Sequence, residues 1–209
     1  MRFSPDVKWA LGIVEPTVRP RLVLYPIGTG EARILDSSGL RIQNAMWLPD
    51  GQEILFSANE PDHGVRIYLQ AVGGTKPSAV SPEGYLAFDR CLSPDGKLVA
   101  ASGPDQRYYL YPVRGGEPTP IPGLVSGDVP VSWSGDGRSL LIGRRGEVPL
   151  KAFWLDVRTG RKDLWQELIP PDPTGITTIG RIAATPDGKS YAYSYIRSLA
   201  DLYVVEGLK

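Results

Sequence analysis

The chain has 209 residues, enough to bury a real core, and its 23 lysines and arginines balance 23 aspartates and glutamates for a formal charge of zero. Apart from Arg144-Arg145 the basic residues are scattered, which excludes the concentrated positive footprint of a nucleic-acid binder. One cysteine, Cys91, excludes an internal disulfide and a thiolate metal cluster, and no run approaches the ~18 apolar residues of a membrane span.

In chain order, the first recognisable element is Phe3-Ser4-Pro5-Asp6-Val7-Lys8. It returns as Trp47-Leu48-Pro49-Asp50-Gly51-Gln52, Leu92-Ser93-Pro94-Asp95-Gly96-Lys97, Trp133-Ser134-Gly135-Asp136-Gly137-Arg138 and Ala184-Thr185-Pro186-Asp187-Gly188-Lys189. Proline presets φ, aspartate bonds the backbone just ahead of it, and glycine supplies positive φ, so each copy is a tight corner. The aspartates recur at intervals of 44, 45, 41 and 51 residues. A period of roughly 40–45 residues built from short strands marks propeller blades.

Each corner is followed by a short apolar run: Ala10-Leu11, Ile54-Leu55-Phe56, Leu98-Val99-Ala100-Ala101, Leu140-Leu141-Ile142 and Tyr191-Ala192-Tyr193. Runs this short, bounded by turn residues, read as buried strands rather than helices. A third strand carries an aromatic at Leu24-Tyr25, Ile67-Tyr68, Leu110-Tyr111, Phe153-Trp154 and Leu202-Tyr203, which lie 19, 18, 16, 18 and 16 residues beyond the corner aspartates. Glycine closes that strand each time (Gly28 or Gly30, Gly73-Gly74, Gly115-Gly116, Gly160, Gly207), and a weaker fourth strand follows, as in Ala32–Leu35 and Lys162–Trp165. The residue three before each aspartate (Phe3, Trp47, Leu92, Trp133, Ala184) is apolar and is placed on the innermost strand, facing a neighbouring blade. Those tryptophans and the third-strand aromatics are expected to pack between sheets. Cys91, on the innermost strand of the third blade, is expected to be a small buried hydrophobe.

The expected fold is an all-β β-propeller of about five four-stranded antiparallel blades in one domain over residues 1–209, with blades at 1–40, 41–84, 85–127, 128–178 and 179–209. The last blade is expected to have three strands. Because the first blade opens on its innermost strand and the last stops after its third, the ring is expected to be incomplete, an open arc or a strained five-bladed ring. One or two blades are expected to be missing upstream. The chain opens on a corner, which leaves no room for a signal peptide, so as written it reads as cytoplasmic.

These repeats resemble the WD-repeat-like blades of the TolB family, with the same Ser-Pro-Asp-Gly-Lys corner before an aliphatic strand. The closing segment, from Thr185-Pro186-Asp187-Gly188-Lys189 through Val205-Glu206-Gly207-Leu208-Lys209, resembles the C-terminal propeller of acidobacterial eukaryotic-type serine/threonine protein kinases. That resemblance implies a sensing or interaction module, extracytoplasmic if it is the tail of a membrane-spanning kinase. No catalytic residue carries over from it.

Chemistry is hard to find. The single histidine, His63, sits in the loop Asn59-Glu60-Pro61-Asp62-His63-Gly64, there is no Gly-x-Ser-x-Gly elbow, and Glu60, Asp62 and His63 are too few for a metal site. Gly28-Thr29-Gly30-Glu31-Ala32-Arg33 imitates a phosphate loop but lacks the third glycine and a following helix. The corner aspartates (Asp6, Asp50, Asp95, Asp136, Asp187) are read as structural. The chain is therefore expected to be no enzyme, with no cofactor or metal, binding a protein, a peptide or a small ligand.

Its site is expected among the loops joining one blade to the next and those between second and third strands, where Glu60, Asp62, His63, Asp105, Arg107, Arg144 and Arg145 lie. The long connection at residues 169–178 is a further candidate. Three settings fit: the sensing part of a kinase, a TolB-like envelope scaffold, and the lid propeller of a prolyl-oligopeptidase-type hydrolase.

Overall fold

A computed structural model describes residues 2–14, 20–37, 39–74 and 76–200. They form five separate antiparallel sheets, each a simple meander, with no helix among the described residues. Blade 1 contains β1 (Arg2–Phe3), β2 (Trp9–Val14), β3 (Arg21–Pro26) and β4 (Arg33–Leu35). Blade 2 contains β5 (Arg41–Trp47), β6 (Glu53–Asn59), β7 (Arg66–Ala71) and β8 (Ser78–Ala79). In blade 3 the strands are β9 (Leu86–Leu92), β10 (Leu98–Ser102), β11 (Tyr108–Pro112) and β12 (Thr119–Pro120). Blade 4 follows with β13 (Asp128–Trp133), β14 (Ser139–Arg144), β15 (Leu150–Asp156) and β16 (Lys162–Leu168). Blade 5 contributes β17 (Ile176–Ala184) and β18 (Tyr191–Arg197); the third strand expected at Leu202-Tyr203 and the closing Gly207 lie outside the described residues.

Side chains alternate sides along a strand, so an unbroken apolar run can be buried only if both faces are covered. The runs use both faces. On β6, Ile54, Phe56 and Ala58 pack with Leu11, Leu22 and Leu24 of blade 1, whereas Leu55 joins Val99, Ala101 and Tyr111 of blade 3. On β10, Ala100 turns the other way, toward Leu140 and Ile142 of blade 4, and Leu141 packs with Ile179 of blade 5. The core is thus four inter-blade layers. Among the described residues neither a core layer nor strand pairing joins blade 5 to blade 1, so the arc is open.

The corners explain the repeat. In blade 3 the Ser93 hydroxyl donates to Asp95 Oδ1 (2.6 Å), the Lys97 N–H donates to the same oxygen (3.0 Å), and the Leu98 N–H donates to Ser93 Oγ (2.9 Å). Ser4/Asp6, Ser134/Asp136 and Thr185/Asp187 repeat these three bonds. Blade 2 has Leu48 in place of the hydroxyl residue and keeps only the bond from the Gln52 N–H to Asp50, at 2.9 Å. Successive corners also touch: a Cβ placed on Gly51 would lie 3.5 Å from Pro5, one on Gly96 2.8 Å from Pro49, and one on Gly137 3.6 Å from Pro94. Where blade 4 carries Gly135 instead of proline, its freed N–H donates to the Pro186 carbonyl at 3.0 Å. The five corners therefore ring one side of the arc.

Trp47 and Trp133 are 8% and 5% exposed and reach back to the preceding blade, donating their indole N–H to the carbonyls of Arg2 (3.3 Å) and Cys91 (2.7 Å). Phe3 departs from the pattern: it is 64% exposed, because it lies on the face of blade 1 turned away from blade 2. β17 starts at Ile176, so the connection from blade 4 spans residues 169–175 rather than 169–178; the β-branched Ile176, Thr177 and Thr178 suit an extended chain. Cys91 is fully buried, which pushes its thiol pKa up and leaves it a packing residue.

Candidate functional site: an axial cleft

The innermost strands carry a shared irregularity. Register shifts interrupt β5 between Ile42 and Asn44, β9 between Ala87 and Leu92, β13 between Pro130 and Ser132, and β17 between Ile179 and Ile182. A bulge bends a strand and re-aims its side chains. In β9 the distortion holds Arg90 at φ 66°, a left-handed conformation unusual for a residue with a side chain. The distorted strands are stitched across blades, with Asn44 donating to the Ala87 carbonyl at 2.9 Å and the Ala87 N–H donating to Ser57 Oγ at 3.0 Å.

β9, β13 and β17, with the ends of β14, β15 and β18, enclose a cleft of about 440 Å³ at the axis. Its apolar lining is Phe88, Val131, Leu150, Ile182 and Tyr193. Phe88 is held edge-on against Tyr108 (centroids 5.2 Å apart), and Tyr193 lies in an aromatic row 6.5 Å from both Tyr191 and Tyr195. The polar part is Arg90, Arg145, Arg181 and Ser194. No carboxylate lines the cleft among the described side chains, which do not include that of Asp89. Ser194 Oγ accepts the Arg181 N–H at 3.1 Å and so fixes the backbone from which that arginine projects. Burial and then the charge of Arg90 pull the Arg2 guanidinium below its ordinary pKa.

Of the loop residues singled out by sequence, only Arg145 reaches the cleft. Arg144 is turned away: its Nε donates to Asp128 Oδ1 at 2.9 Å, and its guanidinium lies 5.0 Å over the Phe153 ring. Asp128 is buried, which alone would raise its pKa. Lys162, the Val125 N–H (3.0 Å) and Arg144 outweigh that and hold the carboxyl below its usual range. Arg144 is thus a structural residue.

Glu60, Asp62 and His63 do not converge on a common point. His63 Nδ1 pairs instead with Glu83 Oε1 at 2.9 Å, and Glu83 also accepts the Gly64 N–H (3.0 Å) and Arg66 (3.1 Å). Asp105 accepts the Tyr109 hydroxyl (2.8 Å) and the Arg107 N–H (3.1 Å), which closes its own loop. Gly28 and Gly30 adopt positive φ in the turn from β3 to β4, as a strand-closing turn requires.

The cleft is made of strands, not of the inter-blade loops expected to carry the site, and its key cations, Arg90 and Arg181, were not among the expected residues. A signal existed. Phe88-Asp89-Arg90 puts charge into the middle of an innermost strand, where an all-apolar face would otherwise be needed.

No protein-family model matches the chain, and no curated protein matches it. Solved structures do. TolB from Acinetobacter baumannii superposes with a TM-score of 0.66 at 19% identity, over 90% of this chain and 46% of that one. A protein described as TolB from Agrobacterium tumefaciens superposes at 0.69 and 20% identity, over 94% of this chain and 69% of that one. The fold is TolB-like. The chain spans about half the length of the Acinetobacter TolB, at 46%. Within this TolB-like arc the cleft lies where the axial strands of blades 3, 4 and 5 approach one another.

Proposed function

We propose that this chain is a non-catalytic propeller module that binds a protein partner by taking an extended segment of it into the axial cleft. The observation that carries the reading is the cleft itself: concave, lined by apolar side chains and by a few charged residues, the composition expected of a ligand site. Likeness to TolB favours the scaffold setting over the kinase-sensing and hydrolase-lid settings. The kinase setting rests on the closing segment alone, part of which, residues 201–209, lies outside the described residues.

Panning a random peptide library on phage against the wild-type chain and against Ala192→Trp tests the module. Ala192 lines the cleft and is exposed, so an indole there fills the space while leaving the core layers intact. Enrichment of a common sequence on the wild type and its loss on Ala192→Trp is the expected result. Equal enrichment on both proteins, or none on either, refutes the cleft as the binding site.

A further inference from the structure

We infer that the axial cleft is a carboxylate site, and that the segment it takes is a short acidic peptide with an apolar side chain; this rests on the binding-module reading above. Three arginines line one cavity, and each comes from a different blade: Arg90 from blade 3, Arg145 from blade 4 and Arg181 from blade 5. None of the three pairs with a side chain that the structure describes, that of Asp89 not being among them. Arg21, Arg41, Arg138 and Arg158 are likewise without an ion pair but are scattered over the surface, whereas these three share one cavity. Arg66, Arg107, Arg114, Arg144, Arg161 and Arg197 all sit in ion pairs.

Unpaired like charges around a cavity repel one another, so their assembly costs free energy that an anion would return. The strained φ of Arg90 adds to that cost, and strain of this kind clusters at ligand clamps. A guanidinium presents a planar fork that matches a carboxylate with two parallel hydrogen bonds. The apolar lining residues, among them Phe88 and Tyr193, have nothing to offer a bare inorganic anion but would seat an apolar side chain. A volume of about 440 Å³ lies within the range of ordinary ligand sites and holds a piece of peptide only a few residues long.

The test is fluorescence polarisation with a fluorescein-labelled peptide of alternating glutamate and leucine, compared with a twin in which glutamine replaces every glutamate. The acidic peptide is expected to bind at least about tenfold more tightly than its twin at low salt, with the gap closing at high salt. Arg90→Gln, Arg145→Gln and Arg181→Gln are each expected to weaken the acidic peptide by about two- to fivefold, as exposed ion pairs do. The triple variant should lose the preference while keeping the wild-type circular dichroism spectrum; if it fails to fold, the three single variants carry the test.

Equal binding of the two peptides, or a preference that survives in the folded triple variant, overturns the inference. If both peptides bind equally and Ala192→Trp abolishes both, the carboxylate site falls while the binding module stands. If neither binds, the carboxylate site falls and the phage experiment alone judges the module. Competition with glutarate and with inorganic phosphate separates the sources. Millimolar displacement by glutarate with little effect of phosphate is expected, whereas tighter binding of either free anion than of the peptide rejects a peptide occupant.

Discussion

At a corner, one hydroxyl and one carboxylate do most of the ordering. Ser93 is buried, donates to Asp95 and accepts from the Leu98 N–H, so it closes the corner and starts β10 together. Ser93→Ala removes both bonds and is expected to cost about 1 kcal/mol, read as a lower urea midpoint. The effect should depend on pH. The carboxyls of Asp6, Asp95, Asp136 and Asp187 are held below their usual range, first by the Ser or Thr hydroxyl and then by the N–H two residues on. A depressed carboxyl contributes stability that is fully present above its unfolded value, about 3.9, and is lost as pH falls through the folded value. The penalty of Ser93→Ala is therefore expected to be largest at neutral pH and to shrink in acid. A penalty independent of pH would show that the hydroxyl acts only through the Leu98 N–H.

Between elements, the corners and the tryptophans hold one blade to the next. Gly96 and Gly137 have nearly the same φ, 70° and 68°, and pay the same backbone strain on substitution by alanine. They differ in what the new methyl group meets: Pro49 at 2.8 Å for Gly96, and Pro94 at 3.6 Å for Gly137. Gly137→Ala is expected to cost about 1 kcal/mol from strain alone, and Gly96→Ala about 1–2 kcal/mol more because two blades must part. Thermal unfolding of the two variants decides it; equal losses would mean that the corner contact between blades 2 and 3 contributes nothing.

The elements were also where sequence was most informative, since corner, buried run and aromatic strand recur in register. The bulges were not legible. A register shift appears only when a strand is matched to its neighbour, and the left-handed φ of Arg90 is a product of that mismatch.

As a whole the molecule is a row of sheets in which each blade is stabilised by its neighbours, and the end blades have one neighbour fewer. The outer face of blade 1 shows the consequence. Phe3, Tyr25 and Ile34 are exposed there, with Tyr25 laid over Gly12, where a Cβ would lie 3.3 Å from its ring. Exposed apolar faces drive association. Ile34, 62% exposed, makes a clean probe: Ile34→Lys is expected to change stability by less than about 0.5 kcal/mol while lowering the sedimentation coefficient measured at high concentration. No change in sedimentation would show that this face does not associate.

By itself the sequence determined the all-β repeat, the blade period, the corners and the burial of the central strands. Each of these follows from local propensity and from the two-residue alternation of a strand. The tertiary structure alone decided which charged residues meet. Arg90, Arg145 and Arg181 are dozens of residues apart, and only the arc brings β9, the end of β14 and β17 to one axis. The same assembly withdrew Arg144 into a pair with the buried Asp128 and left its neighbour Arg145, just past the end of β14, among the residues that line the cleft.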